Sequence, residues 1–305
     1  VNSVIAIIIS YEPDFGVMAK LLSALGPQVS QILVVDNGSA VNVADSLECC
    51  RNPQINCLLL GDNRGVAVAQ NMGIAWARQQ RADYVVLFDQ DSKPAHNMIS
   101  NLLKARNTLH ANNIRISAIG PTYIDSSTNN IANFIQLGRC KFSKTSVPDA
   151  SGYIPADFLI SSGALIPIEV FDEVGLMDNS LFIDLVDTEW FLRAYSMGFQ
   201  SFGIPDAIMH HSLGENTRKI WFGRWRHVPQ HKPFRQYYMF RNSILLYKRD
   251  YIPLQWKIND AVKLVYLFVF SMACMPERWK RLMMMMQGIC DGLRGRTGKL
   301  ECADE

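Results

Sequence analysis

The first third of the chain repeats one pattern: a short run of branched apolar residues, a polar turn, then a stretch of helix length. Val4 to Ile9 is apolar without interruption, as expected for a strand buried on both faces. Gln31 to Val35 leads into Asp36, Asn37, Gly38 and Ser39. Cys57 to Leu60 leads into Gly61, Asp62, Asn63, Arg64 and Gly65, and Tyr84 to Phe88 into Asp89, Gln90 and Asp91. Phe15 to Leu25 and Val66 to Gln80 read as intervening helices. Strands alternating with helices define an α/β domain with a largely parallel sheet. Ligands of such sheets bind beyond the carboxyl ends of the strands, and three ends here carry Asp36, Asp62 and the Asp89/Asp91 pair. Carboxylates gathered on one edge repel each other unless a cation or ligand donors sit between them. Asx-turns explain any one of these aspartates equally well. A ligand explains the set better.

At 305 residues and 49% hydrophobic, the chain can build one large domain, or one domain with an extension, and is neither disordered nor fibrous. Its seven cysteines include no CxxC pair, and Cys49-Cys50 lacks the second pair of a zinc site, so reduced thiols in a cytosolic protein are expected. Val4 to Ile9 is too short and too poorly flanked to be a secretory signal. Leu264 to Met275, the longest apolar stretch, falls short of the ~20 residues a spanning helix needs, so no membrane crossing is expected.

The middle of the chain is less regular. A strand is expected near Ile116 to Ile119, hairpin-like composition up to Pro155, a strand-to-turn over Asp157 to Gly163, and a short helix over Ile168 to Val174. Leu181 to Trp190 then runs into a helix ending by Gly198. Charge is uneven: residues 1–214 hold 13 Lys/Arg against 20 Asp/Glu, and residues 215–299 hold 17 against 5. The second part is therefore expected to meet something anionic. It contains an apolar helix, Trp256 to Met275, stopped by Pro276. An amphipathic one follows over Glu277 to Gly295, with Trp279, Leu282, Met283, Met286, Ile289, Cys290 and Leu293 at three- and four-residue spacing.

Two carboxylates two residues apart on an extended segment, as in Asp89-Gln90-Asp91, can flank a hard divalent cation that bridges to a nucleotide diphosphate. With Asp36 to Ser39, Asn63 to Gly73 and Leu87 to Ser92 in that order, the sequence resembles a family-2 glycosyltransferase with the GT-A fold. The form Phe88-Asp89-Gln90-Asp91-Ser92 is similar to the bacterial rhamnosyltransferase branch, which uses dTDP-L-rhamnose to extend lipid-linked polysaccharide. Ser161 to Gly163, Phe182 to Trp190 with Arg193, His210 to Gly214 and Tyr237 to Asn242 follow that branch in order. The resemblance spans roughly residues 3 to 250; the last fifty match in character only.

The resemblance implies a GT-A catalytic domain over residues 1–214, with a Rossmann-like nucleotide-binding sheet inside a mixed central sheet. A basic and aromatic active-site loop and helix would occupy 215–250, and a C-terminal helical extension 251–305. Asp36 would accept a hydrogen bond from thymine N3–H, with Asn37 and Ser39 shaping that pocket. Asp62, Asn63 and Arg64 would line the nucleotide side, Asn71 would help close it, and Asp89 would contact the nucleotide sugar. Asp91 would bind Mg²⁺ or Mn²⁺; His211 would be a third ligand or a histidine satisfied within a polar loop. Arg241 and Asn242 would contact the diphosphate. Arg218, Lys219, Arg224 and Arg226 would belong to a loop over it or form a solvated basic loop, and Trp221, Trp225, Tyr237 and Tyr238 serve equally as core. Ser162, Gly163, Asp184, Glu189 and Trp190 would border the acceptor. Asp187 aligns with the second acid of the family's Glu-Asp pair and would be the general base; Val186 stands where the Glu is usual, which leaves Asp184 and Glu189 as rivals.

The chemistry needs one base. A diphosphate leaving group can be stabilised by a metal and cations without a general acid. The acceptor hydroxyl must still lose its proton. A single displacement inverts the anomeric carbon, so β-linked dTDP-rhamnose would give an α-rhamnoside. The implied acceptor is an undecaprenyl-diphosphate-linked oligosaccharide, met by a cytoplasmic enzyme peripheral on the inner face of the plasma membrane. The basic, amphipathic C-terminal helices would contact that anionic surface, or pack on the catalytic domain or another subunit; a homodimer stays open. The alternatives are another donor, such as UDP-glucose or UDP-galactofuranose, and a non-catalytic scaffold of the assembly complex. Nucleic-acid binding lacks a reader motif, and a dehydrogenase lacks GxGxxG after the first strand.

Overall fold

A computed structural model describes the chain apart from residues 1, 47–51, 113, 126–129, 138–141, 146–151, 212–216, 222–224, 230–231 and 301–305. Of residues 125, 137, 142–145, 211, 217–221 and 225–229 it describes the backbone alone. The first half runs β1 (Val4–Ser10), α1 (Phe15–Leu25), β2 (Gln31–Asp36), α2 (Val43–Ser46), β3 (Ile55–Leu59), α3 (Val66–Gln79) and β4 (Tyr84–Asp89). Then come β5 (Lys93–Pro94), α4 (Met98–Ala111), β6 (Ile116–Asp125), the hairpin β7 (Phe134–Leu137) and β8 (Phe142–Thr145), β9 (Ile154–Ala156) and β10 (Leu165–Pro167). The chain continues through α5 (Val170–Val174), α6 (Val186–Ser196), β11 (Gln200–His211) and the hairpin β12 (Thr217–Trp221) and β13 (Trp225–Pro229). It closes on α7 (Pro233–Tyr247), α8 (Leu254–Cys274) and α9 (Arg278–Arg294).

The main sheet has the order β3-β2-β1-β4-β10-β6-β11-β5, with β9 beside β11. Strands β1 to β4 pair in parallel, as the strand–helix alternation predicts. The second half departs from that pattern: β10 runs antiparallel between β4 and β6, which makes the sheet mixed. β10 has only three residues and merges in the sequence with the helix that follows, so periodicity does not separate it. Residues 157–163 form no regular strand. Single bridges, Phe158 to Ile135 and Ser162 to Leu87, hold that segment, and its serine side chains bond outward in place of a ladder.

Both faces of the sheet are covered, which explains the unbroken apolar runs. Ile5, Ile7, Leu33, Val35, Val85 and Leu87 point into one core with α3 and α6. Their alternate neighbours Ala6, Ile8, Ile32, Val34, Val86 and Phe88 point into the other with α1 and α4. The Asp14 carboxylate caps α1 by accepting from the Gly16 and Val17 amides.

The C-terminal helices are bolted to this body through α7. The Tyr237 hydroxyl donates to Asp291 Oδ2 at 3.1 Å, Lys248 Nζ to the Gly292 carbonyl at 2.8 Å, and Gln236 Nε2 to Ser271 Oγ at 2.7 Å. The expected helix pair is present at 254–274 and 278–294, and no helix among the described residues is long and apolar enough to cross a membrane.

Candidate active site

The carboxyl ends of β2, β1 and β4 are neighbours, and their turns are tied to each other. Asp36 is buried at the end of β2. Its Oδ1 accepts from Ser39 Oγ at 2.5 Å and Ser10 Oγ at 3.2 Å, and its Oδ2 from the Ser39 amide at 3.0 Å. Asn37 locks this turn to the next: its Oδ1 accepts from the Arg64 amide at 3.0 Å and its Nδ2 donates to Asn63 Oδ1 at 3.1 Å. Gly38, at φ +89°, lies so close that a Cβ would fall 2.4 Å from the Asp62 carbonyl carbon. Asp62 and Arg64 form an exposed ion pair at 2.8 Å, which contributes little to stability. Gln90 joins the β4 turn to the end of β1, accepting from the Tyr11 amide at 2.8 Å and donating to its carbonyl at 3.2 Å. Tyr11, half-exposed beside these turns, and Glu12, which accepts from the Ala40 amide at 2.8 Å, were not singled out by motif. Their position just past the first strand was the available signal.

Asp89 and Asp91 stand partly exposed at the end of β4. Behind them, Ser162 Oγ accepts from the Asp89 amide at 3.2 Å and meets Ser92 Oγ at 2.8 Å. The Tyr123 hydroxyl, from β6, donates to the Ser162 carbonyl. Burial pushes the Tyr123 phenol well above its ordinary pKa, and the nearby charges of Asp89 and Asp187 push it further. Tyr123 is therefore a neutral hydrogen-bond donor, tied to the backbone behind the end of β4. Sequence reasoning passed over it, since nothing local distinguishes it from a core tyrosine.

Asp187 sits in the first turn of α6. Its carboxylate accepts from the Thr188 amide at 2.7 Å and the Ser161 amide at 3.3 Å. The residue is partly buried. Desolvation raises its pKa above the usual carboxylate value, against the lowering effect of those two amides; the charge of Asp184 adds to the rise. Asp184 itself is held by Arg235 of α7, at 2.5 Å from Nη2 and 3.3 Å from Nε.

The backbone that presents these acids is unusual. Phe182, Asp184 and Leu185 all have φ near +60°, a conformation costly for residues with a side chain. It persists because neighbours hold it. Asn242 Nδ2 donates to the carbonyls of Leu181, Ile183 and Asp184 at 3.0, 2.8 and 2.8 Å. Arg241 donates to the carbonyls of Leu181 at 2.9 Å and Gly298 at 2.5 Å, and to Asn242 Oδ1 at 3.0 Å. The Phe182 ring stacks on Tyr238 with centroids 5.1 Å apart, and its carbonyl accepts from the Val66 amide at 2.8 Å. Gly65 must be glycine: φ is +89°, and a Cβ would lie 2.6 Å from the Phe182 carbonyl oxygen.

These contacts correct several expectations. Arg241 and Asn242 are fully buried and spend their donors on the 180–184 backbone, with Arg241 also donating to the Gly298 carbonyl and to Asn242, so they position the segment carrying Asp184 and Asp187 and do not face a diphosphate. Asn71 grips the backbone of Met177 and the side chain of Asn179, and so lies behind the nucleotide side. Ser162 and Gly163 are buried supports of the β4 end. Trp190 is a core residue whose indole N–H donates to the Gly175 carbonyl. Glu189 is buried under Arg193, Arg249 and Tyr251, at 2.9, 3.1 and 2.5 Å, and no longer rivals Asp187 as base. The Tyr251 hydroxyl there is pushed up to about 12, by burial first and then by Glu189.

β11 pairs with β5 just after Asp91, opposing His210 to Lys93, and on its other side the backbone of His211 pairs with that of Asp125 in β6. The His211 side chain, Arg224, and the side chains of Arg218, Lys219, Trp221, Trp225 and Arg226 lie outside the described residues. Among those described, no three His, Cys, Asp or Glu side chains are grouped as a metal cage. The hard oxygens of Asp89 and Asp91 still fit Mg²⁺ or Mn²⁺, since such ions are commonly held by one or two carboxylates plus substrate phosphates.

A mixed sheet with acid-bearing turns along one edge and helices on both faces is the arrangement expected of a GT-A fold. Glycosyl transferase family 2 matches residues 6–175. The dTDP-rhamnosyl transferase RfbF of Shigella flexneri is 31% identical over 300 residues, covering 97% of this chain and 97% of that protein. The chain therefore belongs to glycosyl transferase family 2. Among solved structures, S. aureus TarS 1-349 in complex with UDP-GlcNAc superposes with a TM-score of 0.59 at 11% identity, covering 99% of this chain and 95% of that one. GalNAc-T7 with UDP, GalNAc and Mn²⁺ gives 0.56 at 13%, covering 69% of this chain and 44% of that one. At those identities the likeness is one of fold.

Proposed function

We propose that this protein moves L-rhamnose from dTDP-β-L-rhamnose to a hydroxyl of a lipid-linked oligosaccharide, with inversion, in bacterial cell-surface polysaccharide synthesis. The observation that carries this reading is the end-to-end similarity to a protein named as a dTDP-rhamnosyl transferase. The acceptor is an undecaprenyl-diphosphate-linked oligosaccharide at the cytoplasmic face of the membrane.

Asp36 keeps acceptor capacity beyond its three internal bonds, enough for the thymine N3–H. Asn37 and Ser39 hold that turn in shape, and Asp62, Asn63 and Arg64 border the nucleotide across from it. Asp89 takes the nucleotide sugar. Asp91 would hold a divalent cation, Mg²⁺ or Mn²⁺, with His211 as a further ligand, and that ion would supply charge neutralisation at the diphosphate. Asp187 removes the proton from the attacking acceptor hydroxyl, and its desolvated carboxylate is a stronger base than an exposed one would be. Arg235 holds Asp184 in place just before the base in sequence, and Tyr123 anchors the Ser162 backbone behind the end of β4. One displacement at the anomeric carbon yields the α-rhamnoside.

A donor-hydrolysis screen across nucleotide sugars tests the assignment. Turnover of dTDP-rhamnose above the UDP-sugars is expected. Turnover of UDP-glucose or UDP-galactofuranose with none of dTDP-rhamnose would overturn it, and silence toward all donors, with and without Mn²⁺, would favour a non-catalytic scaffold.

A further inference from the structure

The outward faces of α8 and α9 are apolar and exposed. On α8, Leu254, Ile258, Val262, Val265 and Val269 recur every three or four residues, opposite the buried Trp256, Asp260, Leu264 and Ser271. On α9, Trp279, Met283, Met286, Cys290 and Leu293 do the same, opposite Arg281, Met285, Gly288 and Gly292, which pack on α7 or its neighbours. Leu254 is 71% exposed and Trp279 78%. Large side chains left in water in two continuous rows mark an interaction surface.

The surrounding charge selects the partner. Lys263, Arg278, Lys280, Arg294, Arg296 and Lys299 are exposed over residues 254–299. The acids of the same stretch are mostly withdrawn: Asp260 and Asp291 are buried, accepting from the Tyr247 and Tyr237 hydroxyls, and Glu277 alone is exposed. A second copy of the chain would bring two such basic rims together. An anionic lipid surface complements them, since each Lys or Arg near it is attracted to the lipid phosphates. Neither helix can span a bilayer, whereas an apolar stripe with a basic rim suits one lying in the interface plane. The indole of Trp279 is of the kind that settles at headgroup depth.

We propose that α8 and α9 dock flat on an anionic membrane, with their exposed stripes in the headgroup–acyl boundary and their basic residues at the lipid phosphates. This deepens the proposed membrane-borne acceptor and rests on it for purpose alone. Vesicle binding is read without donor or acceptor, so it fails separately from rhamnosyl transfer.

The test is co-sedimentation of the full chain with phosphatidylcholine vesicles with and without phosphatidylglycerol. The paired variants Val265→Asp/Met283→Asp and Lys280→Glu/Arg294→Glu are run beside it, and their folding is checked by thermal melting. All four positions are exposed and outside the catalytic machinery. Binding should require phosphatidylglycerol, fall with added salt, and weaken on the order of 10-fold or more in each folded pair. No binding by the wild-type chain, or binding that both pairs leave unchanged, would overturn the proposal. A wild-type dimer in sedimentation velocity that the aspartate pair splits, with no vesicle binding, would assign the face to a second copy instead.

Discussion

Replacing Asp187 by Asn should remove sugar transfer by on the order of 10³-fold while leaving dTDP affinity near the wild-type value. The size follows from deleting one general base, which accounts for ~10²–10⁴-fold in well-placed cases. The specificity follows from position: Asp187 lies on α6, bonded to Thr188 and Ser161, away from the interlocked turns of Asp36 and Asn63. The fold should survive. An Asn amide opposite a backbone N–H costs about 1–3 kcal/mol, and removing an ionised, desolvated carboxylate offsets part of that.

The pH dependence has a defined sign. The base works ionised, and burial raises its pKa, so wild-type kcat/KM should fall on acidification at a pH above the usual range for Asp, ~3.9. The variant's residual rate should lack that limb. Transfer at the wild-type rate in Asp187→Asn would remove the residue from the mechanism, and equal loss of dTDP binding would make its role structural.

The largest stability effect is expected at Arg241. Its guanidinium is fully buried, bonded to Leu181, Gly298 and Asn242, and lies over the rings of Tyr238 and Tyr237 with centroids at 4.8 and 5.4 Å. Arg241→Met keeps the bulk and strips the donors, leaving buried carbonyls without partners. Charge-assisted bonds contribute about 1.5–3 kcal/mol each and do not add fully, so a loss of about 3–5 kcal/mol is expected. At a few degrees per kcal/mol that lowers Tm by on the order of 10 °C in a calorimetric scan. The 181–185 segment should loosen first, so transfer should suffer more than dTDP binding. An unchanged Tm with dTDP affinity lost would return Arg241 to the diphosphate.

This residue also marks where the sequence stops being informative. A guanidinium and a carboxamide on an amphipathic helix read alike whether they take phosphate or backbone carbonyls. The difference lies in a left-handed run at Phe182, Asp184 and Leu185, which no local pattern encodes because neighbouring elements impose it. Tyr123 and Arg235 were missed for the same reason: their meaning comes from what packs against them from distant segments. The strands β1, β2 and β4 were legible because burial on both faces demands an unbroken apolar run. β5 and β10 were not, since two or three residues cannot show a period and their pairing is set by β11, β4 and β6. The acidic turns were legible as a set, since a strand end places its residues at the ligand edge whatever the rest of the chain does.

The central claim is that a nucleotide diphosphate lies along the β2–β1–β4 edge, with its sugar facing Asp187. A crystal structure with dTDP and Mn²⁺ bound measures this directly. Thymine against Asp36, the metal on Asp91 and the diphosphate between β4 and α6 on the side of Asp187 is the predicted result. Nucleotide bound elsewhere, or a metal with no contact to Asp89 or Asp91, would contradict it.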